Sequence, residues 1–156
     1  MFEALENSTA AIWVGESLWG YPLLLGLHVV GLAIVAGIFL MLNLRILGFN
    51  KGVSYESFLS LFRLAWIGLA VNAISGTALF SSQATTFISS APFLLKIGLI
   101  TVGVICAVLI RRQLRASAAS WDASAGAVSG STRLLALLSI LCWIGAIGAG
   151  RLIAYL

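Results

Sequence analysis

His28 is the only histidine in the chain, and it lies inside the apolar run YPLLLGLHVVGLAIVAGIFLMLNLRIL that begins at Tyr21. Two cationic side chains have a similar setting: Lys96, four residues after Pro92, and Arg151, five residues before Leu156. At 1.5 Å of helical rise per residue, His28 lies roughly 9 Å past Pro22, and Lys96 and Arg151 lie roughly 6 and 7.5 Å from the nearer ends of their runs. If those ends share one side of a bilayer, three helices bring a nitrogen to one level. An ionisable group inside a span costs about 3 kcal/mol and usually faces the bundle interior with a partner. No Asp or Glu falls inside any of the apolar runs, so the partner is missing. An imidazole and two cations without an acid suit an anion. Haem b meets that requirement, since a neutral imidazole binds iron and Lys96 and Arg151 can take the two propionates.

Two further residues join the expected site. Gly31, one helical turn after His28, would let a flat macrocycle approach the backbone, and Tyr155, one turn after Arg151, is a candidate hydrogen-bond donor. A single histidine excludes a bis-histidine site within one chain. Met41, 13 residues from His28, lies about 20 Å away along the same helix and cannot be the opposite ligand. A sixth ligand would be water, Lys96, a group from another subunit, or none. The same residues have a plainer reading. His28 can hydrogen-bond a carbonyl or Ser across a helix interface, Lys96 and Arg151 can snorkel to headgroups, and glycines permit close helix packing.

The elements that must position these residues follow from composition. Of 156 residues, 61% are hydrophobic and 9% charged, with a mean hydropathy of +1.09, which excludes an ordinary soluble domain. Four runs, 21–49, 58–81, 93–110 and 134–156, are each long enough to cross about 30 Å of hydrocarbon as a helix. The expected fold is therefore an all-α membrane protein, one four-helix transmembrane domain. Residues 1–19 precede it as a short interfacial helix, with Phe2, Leu5, Ile12 and Trp13 at helical spacing and Trp13, Trp19 and Tyr21 at headgroup level. The start, MFEALENSTA, carries Glu3 and Glu6 and no basic residue, unlike a cleavable signal peptide. The Ala-, Ser- and Gly-rich stretch from Ala116 to Thr132 reads as a flexible loop.

Charge gives an orientation. Arg45, Lys51, Arg63, Arg111, Arg112, Arg115 and Arg133, seven of the nine basic residues, flank the first and third loops. The second loop, SSQATTFISSA, has none. The positive-inside rule puts the basic loops in the cytoplasm and both termini in the periplasm of a bacterial inner membrane. The net charge of +4 is explained without a nucleic-acid partner, and a basic rim also attracts anionic lipid. On that side Glu56 is a candidate partner for Arg45 or Arg63. Asn72, Ser75 and Gly76 form a small polar stripe in the second span. Cys106 and Cys142 come out at similar depths and read as small core residues.

The motifs W-x-YP-x5-H-x2-G (Trp19 to Gly31), LNLRILGF (Leu42 to Phe49), SGTALF (Ser75 to Phe80), APFLLK (Ala91 to Lys96) and GRLIAY (Gly150 to Tyr155) are spread along the chain from the first span to the last. Together they resemble a family of small uncharacterised bacterial four-span membrane proteins, in which the residue at Asn43 is usually Asp. More distantly, a first-span histidine, an Arg ending that span and a Lys early in the third are similar to HemJ-type protoporphyrinogen oxidases and other small haem-b membrane proteins. That resemblance implies haem binding through His28 and Lys96 and an oxidoreductase class. The expected function is a haem-b electron carrier or oxidoreductase subunit, acting as a homo-oligomer or within a larger membrane complex. The alternative is a non-redox membrane scaffold or accessory subunit. Copper handling has little support, because one histidine and two cysteines offer few ligands.

Overall fold

In a bilayer every backbone N–H and C=O must be satisfied within the chain, so apolar runs of this length fold as helices. The computed structural model describes residues 2–123, 128–153 and 155. It contains α1 (Phe2–Glu6), α2 (Thr9–Glu16), α3 (Gly20–Ile46), α4 (Tyr55–Ser81), α5 (Ala84–Ser89), α6 (Ala91–Ala123) and α7 (Gly130–Leu152). Among the described residues there is no strand, and α3, α4, α6 and α7 are the four helices long and apolar enough to cross a membrane. The protein is an all-α, multi-pass four-helix membrane bundle with short helices at its N-terminal end.

The helix ends follow local chemistry. Ser8, Ser54 and Ser129 cap α2, α4 and α7, their hydroxyls accepting from the backbone N–H three residues on, at 3.3, 3.4 and 3.3 Å. Gly48, with φ +103°, ends α3. Its N–H donates to Arg45 O at 3.1 Å, and that of Phe49 donates to Leu44 O at 2.9 Å, the paired bonds of a left-handed helix terminator that favours glycine. The start of α4 has a second cap from a distant element: Asp122 of α6 accepts from Tyr55 N at 2.8 Å and from Glu56 N at 3.2 Å. Changing Asp122 to Ala is expected to cost about 1 kcal/mol, the usual worth of an N-terminal cap, read as a lower unfolding midpoint in mild detergent.

The sequence places the third span at 93–110 followed by a flexible loop from 116, and the structure corrects this. Helix α6 continues unbroken to Ala123 and α7 begins at Gly130, leaving a connection that includes residues 124–127, outside the described set. Ala is the best helix former, and Leu114, Ala118 and Trp121 lie buried along one stripe of the extension. Trp121 meets Tyr55 edge to face, with ring centroids 5.4 Å apart. The N-terminal segment also differs, being two helices that break at Asn7 and Ser8. The fourth span ends at Leu152, although the sequence carries it to 156; residues 154 and 156 lie outside the described set.

Helix α3 packs chiefly on α4 and α6 on α7, and contacts of α3 with α7 and α4 with α6 close the bundle. Its core is uneven along the axis. Towards the basic loops, Phe39, Phe58, Phe62, Ile110 and Leu114 are fully enclosed. Phe39 lies between Phe62 and Trp143, at centroid distances of 5.7 and 5.6 Å. Arg45 is held by the first loop, not by Glu56: its Nε donates to Val53 O at 2.6 Å and its guanidinium covers the Tyr55 ring at 4.2 Å. Asn43, also buried, donates to Ser139 Oγ at 2.9 Å and ties α3 to α7. Cys106 and Cys142 are free and buried. At the opposite end the space between α3, α4, α6 and α7 is left as a cavity.

A candidate cofactor cavity in the open half of the bundle

His28 faces α4, where the polar stripe noted in the sequence is its seat. Its Nδ1 lies 2.9 Å from the backbone oxygen of Asn72. A carbonyl only accepts, so Nδ1 carries the proton and donates, which leaves Nε2 with the free lone pair. The Asn72 side chain returns the contact, its Nδ2 donating to His28 O at 2.8 Å. The Ser75 hydroxyl lies 3.3 Å from Nδ1 and donates to Val71 O at 2.6 Å. Gly76 completes the seat by having no side chain: a Cβ there would come within 2.9 Å of the imidazole Cε1. Residues 72, 75 and 76 share one helix face by spacing; what the sequence lacks is the helix they face.

The other imidazole nitrogen meets the third span. Lys96 Nζ lies 3.5 Å from His28 Nε2, and the lysine stem passes over Gly150 of α7, whose added Cβ would be 3.6 Å from Lys96 Cδ and Cε. The five carboxylates of the chain are Glu3, Glu6, Glu16, Glu56 and Asp122, and none lines the cavity beside Lys96. Among the described residues, the lysine therefore presents an ammonium to a largely apolar space with the imidazole as its hydrogen-bonding neighbour. An uncompensated cation in this position favours an anion or another electron-rich oxygen.

That space is a cavity of about 520 Å³, bounded by α3, α4, α6 and α7 and by Phe87 of α5. Its polar lining is sparse, chiefly His28, Lys96, Asn72 and Thr77, and the rest is aliphatic or aromatic. Phe80, Phe87 and Phe93 form a near-parallel set, with Phe93 5.3 Å from Phe80 and 5.6 Å from Phe87 at interplanar angles of 14° and 18°. A wall of parallel rings suits a flat unsaturated ligand. The sequence does not reveal this wall, because Phe87 is delivered by the six-residue α5, too short for a periodic signal. Glu6 fixes that helix: its Oε1 accepts from Thr85 N at 2.8 Å and from Thr85 Oγ1 at 2.7 Å.

Of the five residues singled out in the sequence, the structure brings two together, His28 and Lys96. Arg151 is exposed and turns along its own helix, its Nη2 donating to Tyr155 OH at 3.3 Å with the guanidinium 5.8 Å from that ring. Neither residue lines the cavity; Gly150 and Ile153 of this segment do. Gly31 is also placed differently from the expectation that a macrocycle approaches it. A Cβ on Gly31 would lie 2.8 Å from both Asn72 N and Gly68 O, so the space it leaves is filled by the α4 backbone. Among the described residues no group of three or more His, Cys, Asp or Glu is placed to hold a metal ion. Comparisons with family models, with curated proteins and with solved structures find no match to the chain.

Proposed function

We propose that the protein binds one haem b in the open half of its bundle and serves as an electron-transfer or oxidoreductase subunit. The observation that carries this reading is the His28 imidazole, with Nδ1 tied to a backbone carbonyl at 2.9 Å and Nε2 turned to an aromatic-walled cavity, where Lys96 Nζ lies 3.5 Å from it. Metal-binding histidines are commonly oriented in this way, one nitrogen on a carbonyl and the other on the metal. The fit is partial in a defined sense. His28 would hold the iron through Nε2, and Lys96 would pair with a propionate once its flexible stem turns away from Nε2. Arg151, Tyr155 and Gly31 are not contacts in this arrangement. A bound haem would supply one-electron exchange at iron. The chain holds the imidazole, neutralises a carboxylate and excludes water with three phenylalanines. A partner, either a second copy of the chain or a larger redox complex, completes the proposal by accepting or donating the electron.

The reading is tested by the spectrum and potential of protein purified from haem-sufficient cells. Wild type is expected to show a Soret band and reducible visible bands at about one haem per chain. Changing Lys96 to Met is expected to leave a coloured protein of weaker haem affinity and lower midpoint potential, because a nearby cation favours the reduced, less positive iron. Changing Arg151 to Met, outside the cavity, is expected to change neither. A non-redox scaffold is the second reading, favoured by the reciprocal bonds between His28 and Asn72, which would serve as well if they only joined α3 to α4. A colourless, fully folded wild type selects that alternative.

We also propose a bacterial inner-membrane location with both termini periplasmic, supported by the seven basic residues around the first and third loops. With cysteines introduced singly at Ser89 and Ser131, a membrane-impermeant thiol reagent is expected to label position 89 and spare position 131 in intact cells. The opposite pattern reverses the orientation.

A further inference from the structure

A second concavity lies at the other end of the bundle, between α4 and α6. Arg63, Trp66, Ile67 and Ala70 line it from α4, and Arg111 and Arg115 from α6, around a volume of about 910 Å³. The α4 residues share one face by their three- and four-residue spacing, and the two α6 arginines are one turn apart. No Asp or Glu lines the groove. Arg63 and Arg115 are exposed, and Arg111 lies 5.8 Å from the Phe62 ring centre, a cationic contact that leaves its charge uncompensated. The indole N–H of Trp66 is buried and has no acceptor among the described residues.

Depth shows what such a groove meets. Arg111 is 20 residues after Ala91, the first residue of α6, about 30 Å along the axis and so about one hydrocarbon thickness from the far surface. Arg115 is one turn further out. Ile67 and Ala70, one to two turns inward from Arg63, continue the groove towards the hydrocarbon. Charge at the interface level with an apolar floor running inward matches a molecule that has a phosphate and acyl chains together. Free phosphate would use the arginines and leave the floor unfilled. We infer that this groove is a specific site for an anionic phospholipid, its phosphate on Arg63, Arg111 and Arg115 and its chains along Ile67 and Ala70. A phosphate or ester oxygen at this level also supplies an acceptor for the Trp66 N–H after a small turn of the ring. The site is independent of the haem proposal, sharing no residue with that cavity.

The test is native mass spectrometry of the intact protein released from nanodiscs of phosphatidylcholine mixed with phosphatidylglycerol or cardiolipin. One anionic lipid per chain is expected to be retained in preference to phosphatidylcholine. Each arginine is expected to contribute about fivefold, from the roughly 1 kcal/mol assigned to a basic side chain near an anionic surface. The single change Arg115→Gln, at an exposed position, should therefore weaken retention about fivefold, and Arg63→Gln with Arg115→Gln about 25-fold. The control pair Lys51→Gln with Arg112→Gln removes the same charge outside the groove and is expected to leave retention unchanged. Equal loss in the control pair would reduce the effect to general rim charge and overturn the site. Equal retention of phosphatidylcholine, or full displacement of the lipid by millimolar inorganic phosphate, would also overturn it. Each variant is scored only where its unfolding midpoint in detergent matches that of wild type.

Discussion

If the proposed haem site is right, haem retention is expected to fall by more than about 100-fold when His28 is replaced by alanine, with the purified variant colourless but still folded. The magnitude follows from ligation, since losing even an outer partner of a metal-binding histidine typically costs 10- to 100-fold. The loss of colour separates cleanly from a loss of fold. Hydrogen bonds between membrane helices average about 0.6 kcal/mol, with a maximum near 1.7, so removing the imidazole from its bond to Asn72 O destabilises the bundle only modestly. Asn72→Ala provides the complementary case. The carbonyl that orients Nδ1 belongs to the backbone and survives, so the variant is expected to stay coloured while losing the bond to His28 O. If the alanine variant at position 28 keeps the full Soret absorbance, the histidine is a helix link and the cofactor proposal fails.

The second large effect concerns Gly31. Leucine there would push a Cβ to 2.8 Å from Asn72 N and Gly68 O and 3.1 Å from Asn72 Cα. These are backbone atoms of a packed helix and cannot turn aside. Overpacking commonly costs 1–3 kcal/mol and occasionally more, and with backbone on the opposing side the upper end, about 3 kcal/mol, is expected. Unfolding in mild detergent measures it. The control is leucine at Gly26 or Gly37 of the same helix, where an added Cβ has no neighbour within 4 Å and an effect within about 0.5 kcal/mol is expected. Because α3 and α4 must separate to admit the side chain, the leucine variant at position 31 should also lose haem without any change to a ligand. Equal midpoints for the variants at 31 and 37 would refute the close-contact account.

How far the site was legible follows from what an axial count can and cannot fix. Counting from Pro22 and Pro92 puts His28 and Lys96 at similar depth, and they meet at 3.5 Å. The same count puts Arg151 at that level, yet it misses the cavity. Depth fixes position along a helix and says nothing of rotation about it, and one residue turns the side chain by about 100°; Gly150 lines the cavity and Arg151 does not. The number of spans was legible because hydrocarbon enforces a run length. The end of α6 was not, because Ser117, Ser120 and the Gly- and Ser-containing sequence after Ala123 read as a loop and masked the helix preference of the alanines. The stripe Leu114, Ala118 and Trp121, with Asp122 beside it, was the overlooked signal for a helix that reaches back to cap α4. The partner of the Asn72, Ser75 and Gly76 stripe depends on pairing between distant helices, which local periodicity does not encode.

The uneven core has a consequence for traffic. Phe39, Phe62 and Trp143 close the bundle about 16 Å beyond His28 along α3, taking 11 residues of rise, and below them Phe58, Ile110 and Leu114 are sealed as well. The cavity therefore does not continue through the bundle towards the basic loops, where packed aromatic rings stopper it. A guest seated beside His28 would meet these rings on its inner side, so a path through the bundle would require Phe39, Phe62 and Trp143 to part.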